Sequence, residues 1–337
     1  MNVLITGVTG FAGSHLADYI NGLGQWHGSS PSVYDRASGH EVPHVSAFDV
    51  FGTKRRRSPL DNICSKVELT DCELTDYPSV HRVIDSVRPC KIFHLAAQSF
   101  VPQSWDSPEY TFQVNVFSTL NIMEAIRRID PEIQLLVAGS SEEYGLVLPS
   151  ECPITENQPL RPMSPYGVSK VAMDLLARQY VKSYGLKIVI TRAFNHTGPR
   201  RGQVFATSNF ANQIAWIEAG NGQKVIRVGN LDAQRDFTDV RDMVRAYWLA
   251  LETCEYGEPY NIGTGTDVSM LEVLDTLLKL SGQNIKTEVD PSRLRPSDVP
   301  RLQSDSTKFR KLTGWVPFIP FNKTMKDLLE YWREKLK

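Results

Sequence analysis

The sequence predicts an α/β fold: a doubly wound parallel sheet followed by a smaller, mixed α/β region. Three observations carry that expectation. Short, continuous apolar runs alternate with stretches of helical spacing, the pattern of strands covered on both faces by crossover helices. The first apolar run passes directly into Gly7-Val8-Thr9-Gly10-Phe11-Ala12-Gly13, a glycine turn set between strand and helix. At 337 residues, 41% of them apolar and 22% charged, the chain has room for about two domains with a shared interior.

In chain order, residues 3–6, 91–95, 135–138 and 187–191 read as buried strands, and 13–20, 79–87, 110–128 and 165–184 as helices. Pro165 suits a first helical position, which places Tyr166 and Lys170 in the opening turns of their helix. Residues 21–47, rich in glycine, serine and histidine, delay the second strand to about 48–53. The histidines of that stretch, His27, His40 and His44, lack tight ligand spacing, so a solvated insertion is expected there and not a metal site. Later the pattern is mixed, with helices at 205–219, 240–252, 271–280 and 324–336, a strand at 224–228 and a proline-rich ordered loop at 290–300. The expected division is a Rossmann-type dinucleotide-binding domain over 1–192, rejoined by 236–262, and a substrate region over 193–337.

Composition narrows the function classes. A net charge of -1 offers no global attraction to nucleic acid or anionic membrane. The five cysteines (Cys64, Cys72, Cys90, Cys152, Cys254) are scattered without a C-x-x-C pair. That argues against a disulfide framework or zinc site and for a reducing cytoplasm. The start lacks the basic segment and long apolar core of a signal peptide, and no run nears the roughly 18 apolar residues of a membrane span. Asn195-His196-Thr197 matches a glycosylation sequon, which has no use in a cytoplasmic protein.

Tyr166 and Lys170, four apart, share one helix face. An ammonium there favours the phenolate and lowers the tyrosine pKa toward working pH, as proton exchange at a hydroxyl requires. Ser140 and Glu142, within Gly139-Ser140-Ser141-Glu142-Glu143-Tyr144-Gly145, follow the apolar run at 135–138. Tyrosine and lysine suffice for hydride transfer at a carbonyl; the extra carboxylate points to a second proton transfer, as in an elimination. The glycine turn lets the main chain approach a pyrophosphate at the helix N-terminus. After the second strand, Arg55, Arg56 and Arg57 can bind an adenosine 2′-phosphate, which favours NADP over NAD; the alternative is a solvated basic turn.

The glycine spacing together with Tyr166-x-x-x-Lys170 resembles the extended short-chain dehydrogenase/reductase family of nucleotide-sugar enzymes. His94-Leu95-Ala96-Ala97-Gln98-Ser99 resembles its strand end beside the nicotinamide, and Asn115 its active-site helix. The resemblance sharpens toward the GDP-mannose 4,6-dehydratases. It does so in Thr53-Lys54-Arg55-Arg56-Arg57-Ser58, in Asn195-His196-Thr197-Gly198-Pro199-Arg200-Arg201-Gly202, in Ala233-Gln234-Arg235-Asp236 and in Arg295-Pro296-Ser297-Asp298-Val299. Phe237-Thr238-Asp239-Val240-Arg241-Asp242 looks closer to relatives that include reductases.

The resemblance implies a catalytic set of Ser140, Glu142, Tyr166 and Lys170. It implies cofactor contacts from Gly7, Thr9, Gly10, Phe11, Ala12 and Gly13, from Arg55 and Arg56, and from Glu73-Leu74, where the family has Asp-Leu. Leu95, Ala96, Ala97, Ser99, Tyr110, His196 and Arg201 join Tyr166 and Lys170 in that set. Substrate contacts fall on Ser99, Asn195, Asn209, Val225, Arg235 and Arg295, with Asn209 standing where many relatives have lysine. No metal is implied. The implied enzyme is a NADP-dependent lyase removing water from a GDP-linked sugar, in a homodimer or homotetramer. Three alternatives stay open: a GDP-4-keto-6-deoxymannose reductase, a dehydratase of another GDP-sugar such as a GDP-heptose, and a binding protein without activity.

Overall fold

Residues 1–22, 48–56, 58–294 and 299–337 are described by the computed structural model. The expectations placed on 23–47 and its histidines, on Arg57 and on Arg295 lie outside the described residues. β1 (Asn2–Thr6) runs into α1 (Phe11–Ile20), followed by β2 (Asp49–Lys54), β3 (Glu68–Asp71), α2 (Tyr77–Val87) and β4 (Lys91–His94). α3 (Val101–Asp106) and α4 (Pro108–Phe112) lead through a π-helical turn, Gln113–Phe117, into α5 (Ser118–Ile129). Next come β5 (Gln134–Ala138), α6 (Pro165–Tyr184) and β6 (Lys187–Ala193).

β7 (Asn195–Thr197), α7 (Ala206–Glu218), β8 (Val225–Val228) and β9 (Gln234–Asp239) form the next stretch. α8 (Val240–Thr253) and β10 (Pro259–Ile262) return to the first sheet, after which come β11 (Asp267–Ser269), α9 (Met270–Ser281) and β12 (Lys286–Val289). β13 (Arg301–Leu302), α10 (Thr307–Thr313) and α11 (Phe321–Lys335) close the chain.

Seven parallel strands in the order β10-β6-β5-β4-β1-β2-β3 form the main sheet. Alternation along β1 serves both faces. Ile5 packs with Leu16, Phe93, Val244 and Trp248 under α1 and α8, while Leu4 packs with Val83, Ile126 and Met173 under α2, α5 and α6. The strand order reverses between β1 and β4, and at such a switch point the carboxyl ends of the strands leave a crevice. The second region has its own core, where Phe210, Ile214, Leu274, Met325 and Leu329 join α7, α9 and α11.

Two departures from the sequence reading matter for the site. The helix expected over 110–128 is broken by the π turn at Gln113–Phe117. There Asn115 is fully buried, with Oδ1 accepting from the Gln98 N–H at 2.8 Å and Nδ2 donating to the Gln98 carbonyl and to Ser169 Oγ. A π turn re-aims one side chain without ending the helix. The second departure is β9, which lacks apolar alternation and was not read as a strand. It pairs with β7, β11 and β13, and its Asp236 is satisfied by N–H groups of Thr264, Gly265 and Ser304.

Candidate active site

The carboxyl ends of β1, β4, β5 and β6 open into one cleft of about 960 Å³, whose far wall is built by α7, β9 and the turn after β12. At its near end Gly7 has φ +69°, and a Cβ there would stand 2.9 Å from the Ala96 main chain. Gly10 donates to the Gly7 carbonyl at 2.9 Å and begins α1, while Gly13, one turn on, packs against that same carbonyl. Thr9, Phe11 and Ala12 line the cleft beside them. The arrangement is a cradle that added side chains would fill, which is what a pyrophosphate needs.

Thr6 ties this turn to β4, bonding His94 Nδ1 at 2.8 Å and accepting from the Ala96 N–H. His94 Nε2 lies 3.0 Å from Thr119 Oγ1. Burial, aided by the charge of Lys170, pushes the His94 pKa down to about 3, so the ring is a neutral bridge between sheet and α5. Leu95, Ala96, Ala97 and exposed Ser99 follow along the cleft wall.

At the adenosine end expected from sequence, Arg55 and Ser58 line the cleft opposite Glu73 and Leu74. Arg55 Nη1 donates to Tyr110 Oη at 2.9 Å. Tyr110 therefore acts on Arg55 and is not among the residues lining the cleft; exposed Arg56 also lies off its wall. The Glu73 carboxylate is occupied by the hydroxyl of Thr75 at 2.9 Å.

The four expected catalytic residues come together. Ser164 caps α6 by accepting from the Gly167 N–H at 3.1 Å, and a Cβ on Gly167 would meet the Glu142 carbonyl at 2.7 Å. Glycine there lets the helix carrying Tyr166 and Lys170 press onto the turn carrying Ser140 and Glu142. All four line the cleft. Lys170 Nζ donates to the Ala138 carbonyl at 2.7 Å and stands 5.8 Å from the centre of the Tyr166 ring.

The electrostatics differ from the sequence expectation. Tyr166 was expected to be acidified by its lysine; instead burial pushes its phenol above the usual range, and a hydrogen bond from the Ser140 side chain is the main counterweight. Burial also brings Lys170 down to about 8. At both groups desolvation outweighs what opposes it, the Ser140 hydrogen bond at Tyr166 and the charge of Glu143 at Lys170.

Sequence reasoning missed Glu143. It is fully buried, its Oε1 accepting from the Ser140 N–H at 2.7 Å and its other oxygen 3.3 Å from Arg192 Nε. Arg192 also pairs with buried Asp174 at 2.9 Å and donates to Tyr144 Oη at 3.1 Å. Burial and the nearby Asp174 push the Glu143 carboxyl up to about 8. The signal was present as Ser140-x-x-Glu143, the spacing of a capping box.

On the far side, Asn195 lines the cleft from β7. His196 stacks on Phe11 at 5.8 Å, and burial and Arg201 hold its pKa down to about 4. The Arg201 guanidinium lies 3.5 Å from the Phe205 ring centre and 4.9 Å from that of Phe11. Arg235 and Asn209 are in the wall, but Val225 is not: it lies in a separate groove with Trp216 and Arg227. Arg293, absent from the sequence reading, lines the cleft next to Asn209. Among the described residues no cluster of metal-ligating side chains occurs, and no helix is long and apolar enough to cross a membrane.

Comparison with known proteins adds four likenesses. The family described as GDP-mannose 4,6 dehydratase matches residues 4–328. GDP-mannose 4,6 dehydratase 2 of Arabidopsis thaliana is 33% identical over 334 residues, covering 97% of this chain and 85% of that protein. GDP-6-deoxy-D-mannose reductase of Pseudomonas aeruginosa is 30% identical over 249 residues, 74% of this chain and 82% of its own. A structure of RMD from Pseudomonas aeruginosa complexed with NADPH superposes with a TM-score of 0.81 at 25% identity, covering 99% of both chains.

Proposed function

The chain belongs to the GDP-mannose 4,6 dehydratase family, and from that premise we propose that it converts GDP-mannose to GDP-4-keto-6-deoxymannose with bound NADP. The observation that carries this reading is the carboxylate of Glu142 in the same cleft as Ser140, Tyr166 and Lys170. The cradle at Gly7 and Gly10 suits a dinucleotide pyrophosphate, and Arg55, held by Tyr110, suits a 2′-phosphate. When bound, the nicotinamide supplies the redox chemistry, taking hydride from sugar C4 and giving hydride to C6.

The side chains supply the proton movements. Tyr166 accepts the O4 proton as its phenolate while C4 becomes a ketone, and the Ser140 hydroxyl stabilises that phenolate before the transfer. The Lys170 ammonium, anchored on the Ala138 carbonyl, adds positive charge below the ring. The new ketone acidifies the C5 proton, which Glu142 removes. Glu142 then delivers that proton to the C6 hydroxyl, which departs as water and leaves a C5–C6 double bond. With hydride delivered to C6, C5 takes a proton from solvent while Tyr166 releases the O4 proton to it, so the net change is loss of one water. Neutral His94 and buried Glu143 hold the frame and take no proton from substrate.

A second reading has a specific observation behind it. The likeness to the Pseudomonas reductase fits a GDP-4-keto-6-deoxymannose reductase using the same tyrosine and lysine and consuming NADPH. The assay that separates the two is GDP-mannose without added reductant, followed by product mass. Loss of one water supports the dehydratase; no product, with NADPH oxidised when the 4-keto sugar is added, supports the reductase. Exposed Phe117, Val168 and Leu175, on the face of the π turn and α6, favour a second copy packing there. The scattered cysteines, without a C-x-x-C pair, suit the cytoplasmic setting proposed for the protein.

A further inference from the structure

Arg293 ends the 3-10 turn Pro291–Arg293 that follows β12, and it lines the cleft. Two side chains, Asp290 and Asn209, hold its guanidinium there. Asp290 caps the turn, accepting from the N–H and the hydroxyl of Ser292 at 3.0 and 2.7 Å, with its second oxygen 3.4 Å from Arg293 Nε. Arg293 Nη1 donates to Asn209 Oδ1 at 2.6 Å. That oxygen also accepts from Gln213 Nε2 at 2.7 Å, and Gln213 in turn bonds both main-chain groups of Arg227 on β8. The backbone beneath is tight as well: a Cβ on Gly229 would stand 2.9 Å from the Arg293 carbonyl oxygen.

A long cation restrained before its ligand arrives loses little freedom on binding. Arg293 Nη2 has no protein partner among the described residues, so the guanidinium keeps donors for an acceptor in the cleft. Given the reaction read above, sugar C4 and C5 face Tyr166 and Glu142, so C1 and the diphosphate on it extend away from them. The wall on that side carries Asn209, Arg235 and Arg293. We infer that Arg293 binds the diphosphate of the nucleotide sugar, and that Asn209 is a positioning residue that presents the guanidinium. The planar fork of arginine matches phosphate oxygens two at a time, which an ammonium does not.

Calorimetric binding of GDP to the full chain tests this without turnover. Arg293→Ala should weaken GDP by about tenfold or more, with guanosine affinity held within about twofold. Arg293→Lys should fall between the two. Asn209→Ala should weaken GDP less than Arg293→Ala and add little in the double variant. Unchanged GDP binding in Arg293→Ala, or equal losses for GDP and guanosine, overturns the assignment whatever the protein does with GDP-mannose. If Arg293→Ala does not fold, Arg293→Lys decides, and wild-type GDP affinity in that variant overturns the bidentate contact. A wild-type protein that binds GDP through Arg293 yet releases no water from GDP-mannose leaves this assignment standing and removes the dehydratase reading.

Discussion

Glu143 Oε1 accepts the main-chain N–H of Ser140 at 2.7 Å, so a glutamate sealed in the interior holds the loop on which the cleft-facing Glu142 works. Adjacent in sequence, the two carboxylates have opposite surroundings and should respond oppositely to substitution. Glu142→Gln is expected to lower dehydration by about 100-fold or more, the usual scale for a lost acid–base group. Its thermal unfolding should match the parent protein. Turnover within a few-fold of wild type would take Glu142 out of the chemistry.

Glu143→Ala should instead act on stability. It leaves the Ser140 N–H without its acceptor in the interior, which costs about 1–3 kcal/mol before any cavity is counted. Glu143→Gln keeps an acceptor and should cost less. Urea midpoints compare the two variants, and an unchanged midpoint in Glu143→Ala contradicts the positioning role.

Lys170 sets an alkaline limit. With a pKa of about 8, it is cationic below that pH and loses its charge above it. Support for the Tyr166 phenolate, the base that takes the O4 proton, then weakens, so kcat/KM should fall as pH rises through about 8. Lys170→Arg keeps its charge to higher pH and should move that limb upward. A limb that stays in place in Lys170→Arg would assign it to another group.

Buried histidines make the fold acid-sensitive. His94 and His15 have pKa values held down to about 3 and about 4, against an ordinary 6.5. Between pH 6.5 and 4 the unfolded chain takes up protons that the folded chain refuses, so stability falls as pH falls through that window. Each histidine contributes at most about 1.4 kcal/mol per pH unit. His94→Gln should lower stability at pH 7 and flatten the slope; an unflattened slope would mean that His94 is charged in the folded protein.

Cofactor choice should depend on Arg55 more than on Arg56, because Arg55 lines the cleft and bonds Tyr110. Arg55→Ala is expected to reduce the affinity ratio of NADP to NAD by about tenfold, as loss of a charge-assisted phosphate contact does. Tyr110→Phe should give a smaller shift in the same direction, and Arg56→Ala little change. Equilibrium binding of both cofactors checks this, and an unaltered ratio in Arg55→Ala excludes the arginine from 2′-phosphate recognition.

Much of the candidate site was legible because it is local. The glycine turn, Tyr166 with Lys170, and Ser140 with Glu142 each need only a few residues in fixed spacing beside a strand or helix end. What stayed hidden arises from pairing across the chain. Arg192 meets Glu143 and Asp174 only after β6 lies beside β5, and Arg293 reaches Asn209 only once the turn after β12 closes on α7. The strand β9 escaped notice because Asp236 is satisfied by N–H groups more than 25 residues away, leaving no apolar alternation to read. The π turn at Asn115 likewise depends on Gln98 and Ser169, which no helical periodicity reveals.

In the proposed reaction, hydride leaves C4 and returns to C6 of the same sugar while Glu142 carries the proton to the departing water. GDP-mannose deuterated at C4, incubated with the NADP-loaded protein and no reductant, tests it directly. The expected product is lighter by one water and carries the deuterium on C6, and it is formed by the parent protein and not by Glu142→Gln. Recovery of unchanged GDP-mannose from the parent protein, or a dehydrated product without deuterium on C6, would contradict it.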